Sequence, residues 1–186
     1  MQKKIFLDLD GVVRDWTRGI IKWYSLDCFA QDVTTWNFFE GYVKEQLNMS
    51  PKEFWEGQTA TFWETLPFTQ DAPKILDIMG HIQRTGTTSV FILTSPTLTN
   101  AGSTQTWIRK NMPVYFNEKR YIIGPPKYAC ASPDSLLIDD AEKNAFAFWD
   151  AGGDVFLYPQ PWNFERASTK NAVDEMVEFL MLKEVL

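Results

Sequence analysis

Short apolar segments alternate with amphipathic segments along most of this chain, and this alternation restricts the fold more than any other feature. The apolar segments, typical of strands, include Ile5–Leu9, Val90–Leu93 and Ser135–Ile138. Between the first two, apolar side chains recur at helical spacing in the segment bounded by Asp71 and Gly86. Strands that alternate with helices favour βαβ units and a parallel sheet. The sequence therefore predicts an α/β fold.

Acidic and hydroxyl side chains directly follow three of the predicted strands. They are Asp8 and Asp10 after the first strand, Thr94 and Ser95 after the second, and Asp139 and Asp140 after the third. Ligands of parallel α/β sheets bind at the carboxyl ends of the strands. We therefore expect these side chains to share one polar site.

Asp8 and Asp10 alternate with leucines, so the period of a strand places both carboxylates on one face. Two such acids repel each other unless a cation lies between them, and Mg²⁺ prefers oxygen ligands of this kind. A different interpretation stays open for this segment alone, because Asp10-Gly11 between apolar residues is also typical of a β-hairpin turn.

The other groups also have ordinary explanations when each is taken alone. Asp139 and Asp140 are compatible with a solvated turn, Thr94 and Ser95 with a helix cap, and Lys127 with an exposed surface lysine. Their occurrence in this order on strand-end loops favours a site for phosphoryl transfer. That reaction needs a nucleophile, a metal, donors to the phosphate oxygens and a proton carrier.

Three segments and one lysine are similar to the four motifs of the haloacid dehalogenase-type (HAD) phosphatases. They are IFLDLDGVV (5–13), FILTSP (91–96), Lys127 and LLIDD (136–140). Within this superfamily the chain resembles the 5′(3′)-deoxyribonucleotidase group. The stretches that carry this closer resemblance are FWETLPFTQDAPKIL (62–76), ILTSPT (92–97), SLLIDDAEKN (135–144) and YPQPWN (158–163). The resemblance spans most of the chain, from Ile5 to about Asn163.

The resemblance implies a HAD-like Rossmannoid core with a parallel sheet, formed by residues 1–14 and 73–186. Residues 15–72 would form a small, mainly helical cap inserted after the first strand. Such a cap closes over the substrate and determines specificity, and its closure excludes water from the site.

The resemblance also implies catalytic and metal-binding roles. Asp8 would be the nucleophile that forms an aspartyl-phosphate, and Asp10 would be the general acid and then the general base. Mg²⁺ would be held by Asp8, by the backbone carbonyl of Asp10 and by Asp140, with Asp139 as the second choice for the acidic ligand.

Thr94, Ser95 and Lys127 would hold the phosphate oxygens, and here the sequence departs from the group. Relatives place lysine after the TSP motif, whereas residues 97–106 contain neither Lys nor Arg. Either Lys127 and the metal suffice to neutralise the phosphate, or Arg109 or Lys110 reaches it from the next helix.

Aromatic residues are unusually frequent, with 14 Phe, 8 Trp and 6 Tyr. In the resembled group an aromatic cleft between cap and core takes the nucleobase. Five residues lie at roughly matching places: Trp16, Trp36, Trp55, Phe62 and Trp63. Stacking of a base on an aromatic ring is worth about 1–3 kcal/mol. The alternative for each ring is a place in the apolar core of the cap.

The net charge, the lengths of the apolar stretches and the number of cysteines restrict the partners and the location of the protein. A formal net charge of −6 disfavours binding to duplex DNA or to anionic membranes. The sequence shows no signal peptide and no apolar stretch of membrane-spanning length, so we expect a cytoplasmic protein. Two cysteines provide no disulfide framework.

These observations together predict a Mg²⁺-dependent phosphomonoesterase for (deoxy)nucleoside monophosphates. The alternatives are a HAD phosphatase for a sugar phosphate or another small phosphomonoester, and a non-catalytic module that binds a phospholigand. The sequence leaves open the preferred base and sugar, the choice between 5′- and 3′-phosphates, and whether the chain forms a homodimer.

Overall fold

The computed structural model describes residues 2–117, 119–124, 126–167 and 171–186. Five parallel strands form one sheet in the order β3-β2-β1-β4-β5. The strands are β1 (Lys3–Leu7), β2 (Thr88–Thr94), β3 (Tyr121–Ile123), β4 (Ser135–Asp139) and β5 (Asp154–Leu157). The predicted α/β class with a parallel sheet is thus confirmed.

The central strand β1 is where the strand order reverses. Leu7 pairs with Ile92 of β2 on one side and with Ile138 of β4 on the other. Both faces of β1 are covered, because Ile5 and Leu7 are buried on one face and Phe6 is buried on the other. The carboxyl ends of β1, β2 and β4 therefore lie side by side at the switch point, where ligands of such sheets bind.

The segment between β1 and the first long helix contains only short helical pieces. They are α1 (Trp16–Tyr24), a 3₁₀ turn (Ala30–Asp32), a π-helical turn (Phe39–Val43), α2 (Lys44–Gln46), α3 (Pro51–Glu56) and α4 (Ala60–Glu64). Apart from α1, these pieces present too few turns for a helical period to show in the sequence.

The remaining helices lie between the strands and after β5. They are α5 (Ala72–Thr85), α6 (Ala101–Asn111), α7 (Val114–Asn117), α8 (Glu142–Asp150) and α9 (Ala172–Leu182), with 3₁₀ turns at Lys127–Cys130 and Phe164–Ala167. None of the helices in the described part of the chain combines the length and apolarity that crossing a bilayer requires.

Helix α5 begins and ends close to the residues that the sequence indicated. It ends before Gly86, whose φ of +77° is the left-handed conformation that favours glycine. Asp71 precedes the first turn but does not cap it through its side chain. Its carboxylate instead accepts a hydrogen bond of 2.8 Å from the Tyr158 hydroxyl. That bond joins the start of α5 to the loop after β5.

One apolar core connects the short helices to the sheet. Val43 and Phe54 belong to the same buried cluster as Leu7 and Ile92. Trp107 of α6 is fully buried in it, and its indole N–H donates to the Leu66 carbonyl at 2.8 Å. These contacts pack the segment that contains the short helices against the sheet and α6.

Candidate active site

Three acids and one lysine meet at the carboxyl ends of β1 and β4. The Lys127 ammonium lies 2.6 Å from Asp8 Oδ1 and 2.6 Å from Asp139 Oδ2. Asp140 follows Asp139 directly, and all four side chains are buried. The structure therefore brings together side chains from three separate segments of the sequence, as the strand-end pattern predicted.

The acids fit a metal ion. Asp8, Asp139 and Asp140 each offer a carboxylate oxygen, and these oxygens lie within 4.8 Å of one another. Asp140 Oδ1 is buried and accepts no hydrogen bond from the described residues. Three carboxylates against one ammonium leave an excess of negative charge, and oxygen ligands of this kind suit a hard divalent cation.

Asp139 and Asp140 differ in how their oxygens are engaged. Asp139 Oδ2 accepts from Lys127, and its Oδ1 accepts from the Ala141 backbone N–H at 2.9 Å. The Asn144 amide also lies within 3.3 Å of both oxygens of Asp139. Asp140 keeps one oxygen free, which makes it the better placed of the two to hold a metal.

Burial dominates the electrostatics of the cluster. It raises the pKa of Asp8 to about 7, opposed by Lys127 and reinforced by Asp139. Burial also raises the pKa of Asp140, to which the charges of Asp8 and Asp139 add. Desolvation works to lower the pKa of Lys127, but the two neighbouring carboxylates raise it above its ordinary value. The lysine therefore stays charged, and the acids need either protons or a cation.

Asp10 is not one of the acids whose oxygens cluster with Asp8, and it forms an ion pair with Arg14. The Arg14 Nε and one terminal nitrogen donate to the two Asp10 oxygens at 2.7 and 2.8 Å. The guanidinium of Arg14 is fully buried, with its carbon 5.3 Å from the ring centre of Trp63 and 5.4 Å from that of Trp107. The sequence analysis did not identify Arg14, which fixes the carboxylate of Asp10.

Gly11 allows the first loop to approach the acid cluster. Its φ is +82°, and a Cβ atom at this position would overlap with the Asp140 carboxylate. The Gly11 carbonyl accepts a hydrogen bond of 2.6 Å from the Gln160 side-chain amide. The Asp-Gly pair is therefore a close approach between two loops of a parallel sheet, and the hairpin interpretation of this segment is wrong.

The loop after β5 supports the site. Asn163 is buried, and its amide donates to the backbone carbonyls of Asp140 and Tyr158 at 2.9 and 2.8 Å. The Trp162 indole N–H donates to Asp140 Oδ2 at 2.9 Å. These residues belong to the YPQPWN stretch, for which the sequence analysis predicted no role.

The hydroxyl residues Thr94, which ends β2, and Ser95, which follows it, lie at the same edge of the sheet. Thr94 is buried at the strand end, and Ser95 is exposed and lines the cavity described below. Arg109 and Lys110 are exposed in the last turn of α6. A helix rises about 1.5 Å per residue, so Arg109 lies about 12 Å along the axis from the first residue, Ala101. Neither of these two basic residues lines the cavity.

A cavity of about 470 Å³ opens beside Asp10 and Asp140. Four of the five aromatic residues proposed for a base pocket lie in its wall: Trp16, Trp36, Trp55 and Trp63. Phe38 and Trp162 complete the aromatic lining. The Trp16 and Trp55 rings are nearly parallel, with centres 6.0 Å apart. Among the described residues, the side chains that line this cavity include two carboxylates and no basic group.

Phe62 departs from the expectation and does not line the cavity. It is buried in the apolar core, with its ring centre 5.6 Å from that of Trp23. Phe62 and Trp63 are neighbours on the short helix α4, where successive side chains point about 100° apart. One of them therefore faces the core while the other reaches the cavity.

Comparison with solved structures places this geometry in a known fold, although no protein-family model and no curated protein matches the sequence. A HAD family hydrolase from Deinococcus radiodurans R1, solved with bound phosphate and sodium, superposes with a TM-score of 0.65. The match covers 97% of this chain and 96% of that one at 14% identity.

Two further structures agree with this match. A haloacid dehalogenase-like family hydrolase from Streptococcus pneumoniae matches with a TM-score of 0.61 and 11% identity, over 96% of this chain and 98% of that one. CbbY from Rhodobacter sphaeroides, in complex with xylulose-1,5-bisphosphate, matches with a TM-score of 0.52 and 14% identity, over 91% of this chain and 93% of that one. The chain therefore has the fold of the haloacid dehalogenase-like hydrolases.

Proposed function

We propose that this protein is a Mg²⁺-dependent phosphomonoesterase that hydrolyses (deoxy)nucleoside monophosphates, of the 5′(3′)-deoxyribonucleotidase type. The observation that carries the proposal is the buried cluster of Asp8, Asp139 and Asp140 around Lys127, next to an aromatic cavity. The phosphate bound in the Deinococcus radiodurans hydrolase of the same fold supports this choice of reaction.

The proposed reaction begins at Asp8. A carboxylate oxygen of Asp8 attacks the phosphorus, the bond from phosphorus to the nucleoside oxygen breaks, and Asp10 gives a proton to that oxygen. Water then attacks the aspartyl-phosphate, Asp10 takes a proton from the water, and phosphate leaves with Asp8 restored. Each Asp10 oxygen accepts one hydrogen bond from Arg14 and keeps a second lone pair that can carry the transferred proton.

The remaining polar groups would hold the phosphate. Lys127 supplies a fixed positive charge next to Asp8, and the Thr94 and Ser95 hydroxyls follow the neighbouring strand. Asp8 and Asp140, with the backbone carbonyl of Asp10, would hold Mg²⁺, which neutralises phosphate charge when it is bound. Asp139 would hold Lys127 in place through the contact of 2.6 Å.

The aromatic cavity supports the choice of a nucleoside rather than a sugar. Flat rings such as Trp16, Trp36 and Trp55 favour stacking with a base, and stacking tolerates different bases. The basic groups of the described residues lie outside the cavity lining, so the part of the substrate that enters it should carry no second phosphate. Residues 15–72 would act as the cap that carries this wall, and we expect the enzyme to act in the cytoplasm.

The test is phosphate release from a panel of nucleoside monophosphates, deoxynucleoside monophosphates and sugar phosphates, each with Mg²⁺. Asp8→Asn removes the nucleophile and should abolish turnover. Asp150→Asn changes an exposed acid at the end of α8 and is the matched control, with unchanged turnover expected. EDTA should abolish the activity of the wild-type protein.

The panel separates the proposal from its alternatives. Selective release from nucleotides, lost in Asp8→Asn, would support the proposal. Release from sugar phosphates alone would keep the reaction and refute the nucleotide assignment. Absence of release from every compound, with a folded protein that binds Mg²⁺, would refute the enzymatic function and favour a phospholigand-binding module.

A further inference from the structure

Trp162 touches both parts of the candidate site. Its indole N–H donates a hydrogen bond of 2.9 Å to Asp140 Oδ2. Its ring lines the cavity, where its centre lies 6.3 Å from that of Trp36. One side chain therefore contacts a carboxylate of the acid cluster and forms part of the wall of the aromatic cavity.

Hydrogen bonds from the residues on either side of Trp162 attach this loop to its neighbours. Asn163, the next residue, is buried and donates to the backbone carbonyls of Asp140 and Tyr158. The backbone N–H of Gln160 donates to the Asn163 side-chain oxygen at 3.3 Å, and the Gln160 side-chain amide donates to the Gly11 carbonyl. The loop is thus attached to both acidic loops of the site.

The hydrogen bond from Trp162 is the only one that the Asp140 carboxylate accepts within the described part of the chain. Asn163 holds the backbone of Asp140 but makes no hydrogen bond to its carboxylate within the described residues. The indole therefore determines which oxygen of Asp140 is engaged and which stays free. Outer hydrogen bonds that orient a metal ligand typically change metal affinity about 10–100-fold when they are removed.

We propose that Trp162 is a positioning residue for Asp140 and also a substrate contact. The indole N–H of Trp162 holds the Asp140 carboxylate in the orientation that a divalent cation needs, and the indole ring contacts the substrate in the cavity. This inference rests on the proposed function, because it takes Asp140 as a ligand of Mg²⁺. The two roles belong to different atoms of one side chain, so a substitution separates them.

The separating substitution is Trp162→Phe, which keeps an aromatic ring and removes the N–H donor. Isothermal titration of the full chain with Mg²⁺ alone should show a Kd about 10-fold or more above that of the wild-type protein. The KM for a deoxynucleoside monophosphate at saturating Mg²⁺ should stay within about 2-fold, because the ring is still present. Trp162→Ala should raise both quantities.

Trp36→Phe is the matched control, since Trp36 lines the same cavity without a hydrogen bond to the acid cluster in the described part of the chain. Its Kd for Mg²⁺ should equal that of the wild-type protein. The rise in melting temperature that Mg²⁺ produces gives a second readout. It should be smaller in Trp162→Phe than in the wild-type protein, even if the variant is less stable.

An unchanged Kd for Mg²⁺ in Trp162→Phe would overturn the inference while leaving the proposed function intact. An equal loss of Mg²⁺ affinity in Trp36→Phe would also overturn it, because the effect would then not depend on the N–H donor. A wild-type protein that binds no Mg²⁺ would overturn this inference together with the metal assignment of the proposed function.

Discussion

Lys127→Met removes the one cation that the acid cluster contacts at close range in the described structure. The Lys127 side chain is 3% exposed and lies 2.6 Å from both Asp8 and Asp139. At an effective dielectric constant of about 20, each contact supplies about 6 kcal/mol of Coulomb attraction, much of which offsets the cost of burying the charges. Loss of one partner from a buried ion pair typically costs about 3–5 kcal/mol.

For a chain of 186 residues this loss corresponds to a fall in melting temperature of about 6–20 °C. The assay is thermal unfolding at pH 7.5, first in EDTA and then with Mg²⁺. Added Mg²⁺ should restore part of the lost melting temperature, because it supplies positive charge to the same acids. Lys143→Met, at an exposed position on α8, is the matched control and should melt with the wild-type protein. A metal-free Lys127→Met protein that melts within about 2 °C of wild type would refute the reasoning.

Three further predictions follow from the same structure. Burial raises the pKa of Asp8 in the folded protein to about 7, above its ordinary value of 3.8. At a pH between these two values the folded protein keeps a proton on Asp8 that the unfolded chain has released. The free energy of unfolding without metal should therefore fall as pH rises from about 4 to 7, and Mg²⁺ should reduce this fall. Melting temperatures that rise steadily across that pH range would contradict the prediction. Gly11→Ala should weaken Mg²⁺ binding in a calorimetric titration, because the added Cβ overlaps with the Asp140 carboxylate. Gly86 has a similar φ but open space around it, so Gly86→Ala should lower the stability without changing the Mg²⁺ affinity. Equal Mg²⁺ affinity in both variants would count against the overlap. Phe62→Ala should lower the free energy of unfolding by about 3–5 kcal/mol in a denaturant titration, because Phe62 is buried in the core. The KM for a nucleoside monophosphate should stay unchanged, and a raised KM would indicate that Phe62 contacts the substrate.

The parts of the site that follow directly from strands could be predicted from the sequence. Asp8, Asp139 and Asp140 were found because a parallel sheet brings the carboxyl ends of its strands to one edge. The aromatic wall was predicted less completely. Phe62 and Trp63 are adjacent on a helix of five residues, which is too short for a period to show which of them faces the core.

Arg14 and Trp162 could not be assigned from the sequence. Arg14 reads as an ordinary charged residue until Trp63 and Trp107, from distant segments, are seen to enclose its guanidinium. Trp162 gains its contact with Asp140 from the path of the loop after β5, which no local pattern encodes. Side chains whose partners come from other segments depend on tertiary packing, so their contacts appear only in the folded structure.

The central position of β1 has a consequence for how the chain folds during its synthesis. Lys4 pairs with Ser89 on one side and with Ser135 on the other, so the strand that is made first must wait for partners that are made much later. At a ribosomal rate of about 5–20 residues per second, this delay amounts to seconds in which β1 has no neighbour. We expect the short helices between β1 and β2 to emerge before any of the sheet can form, so that both edges of β1 stay unpaired during this time.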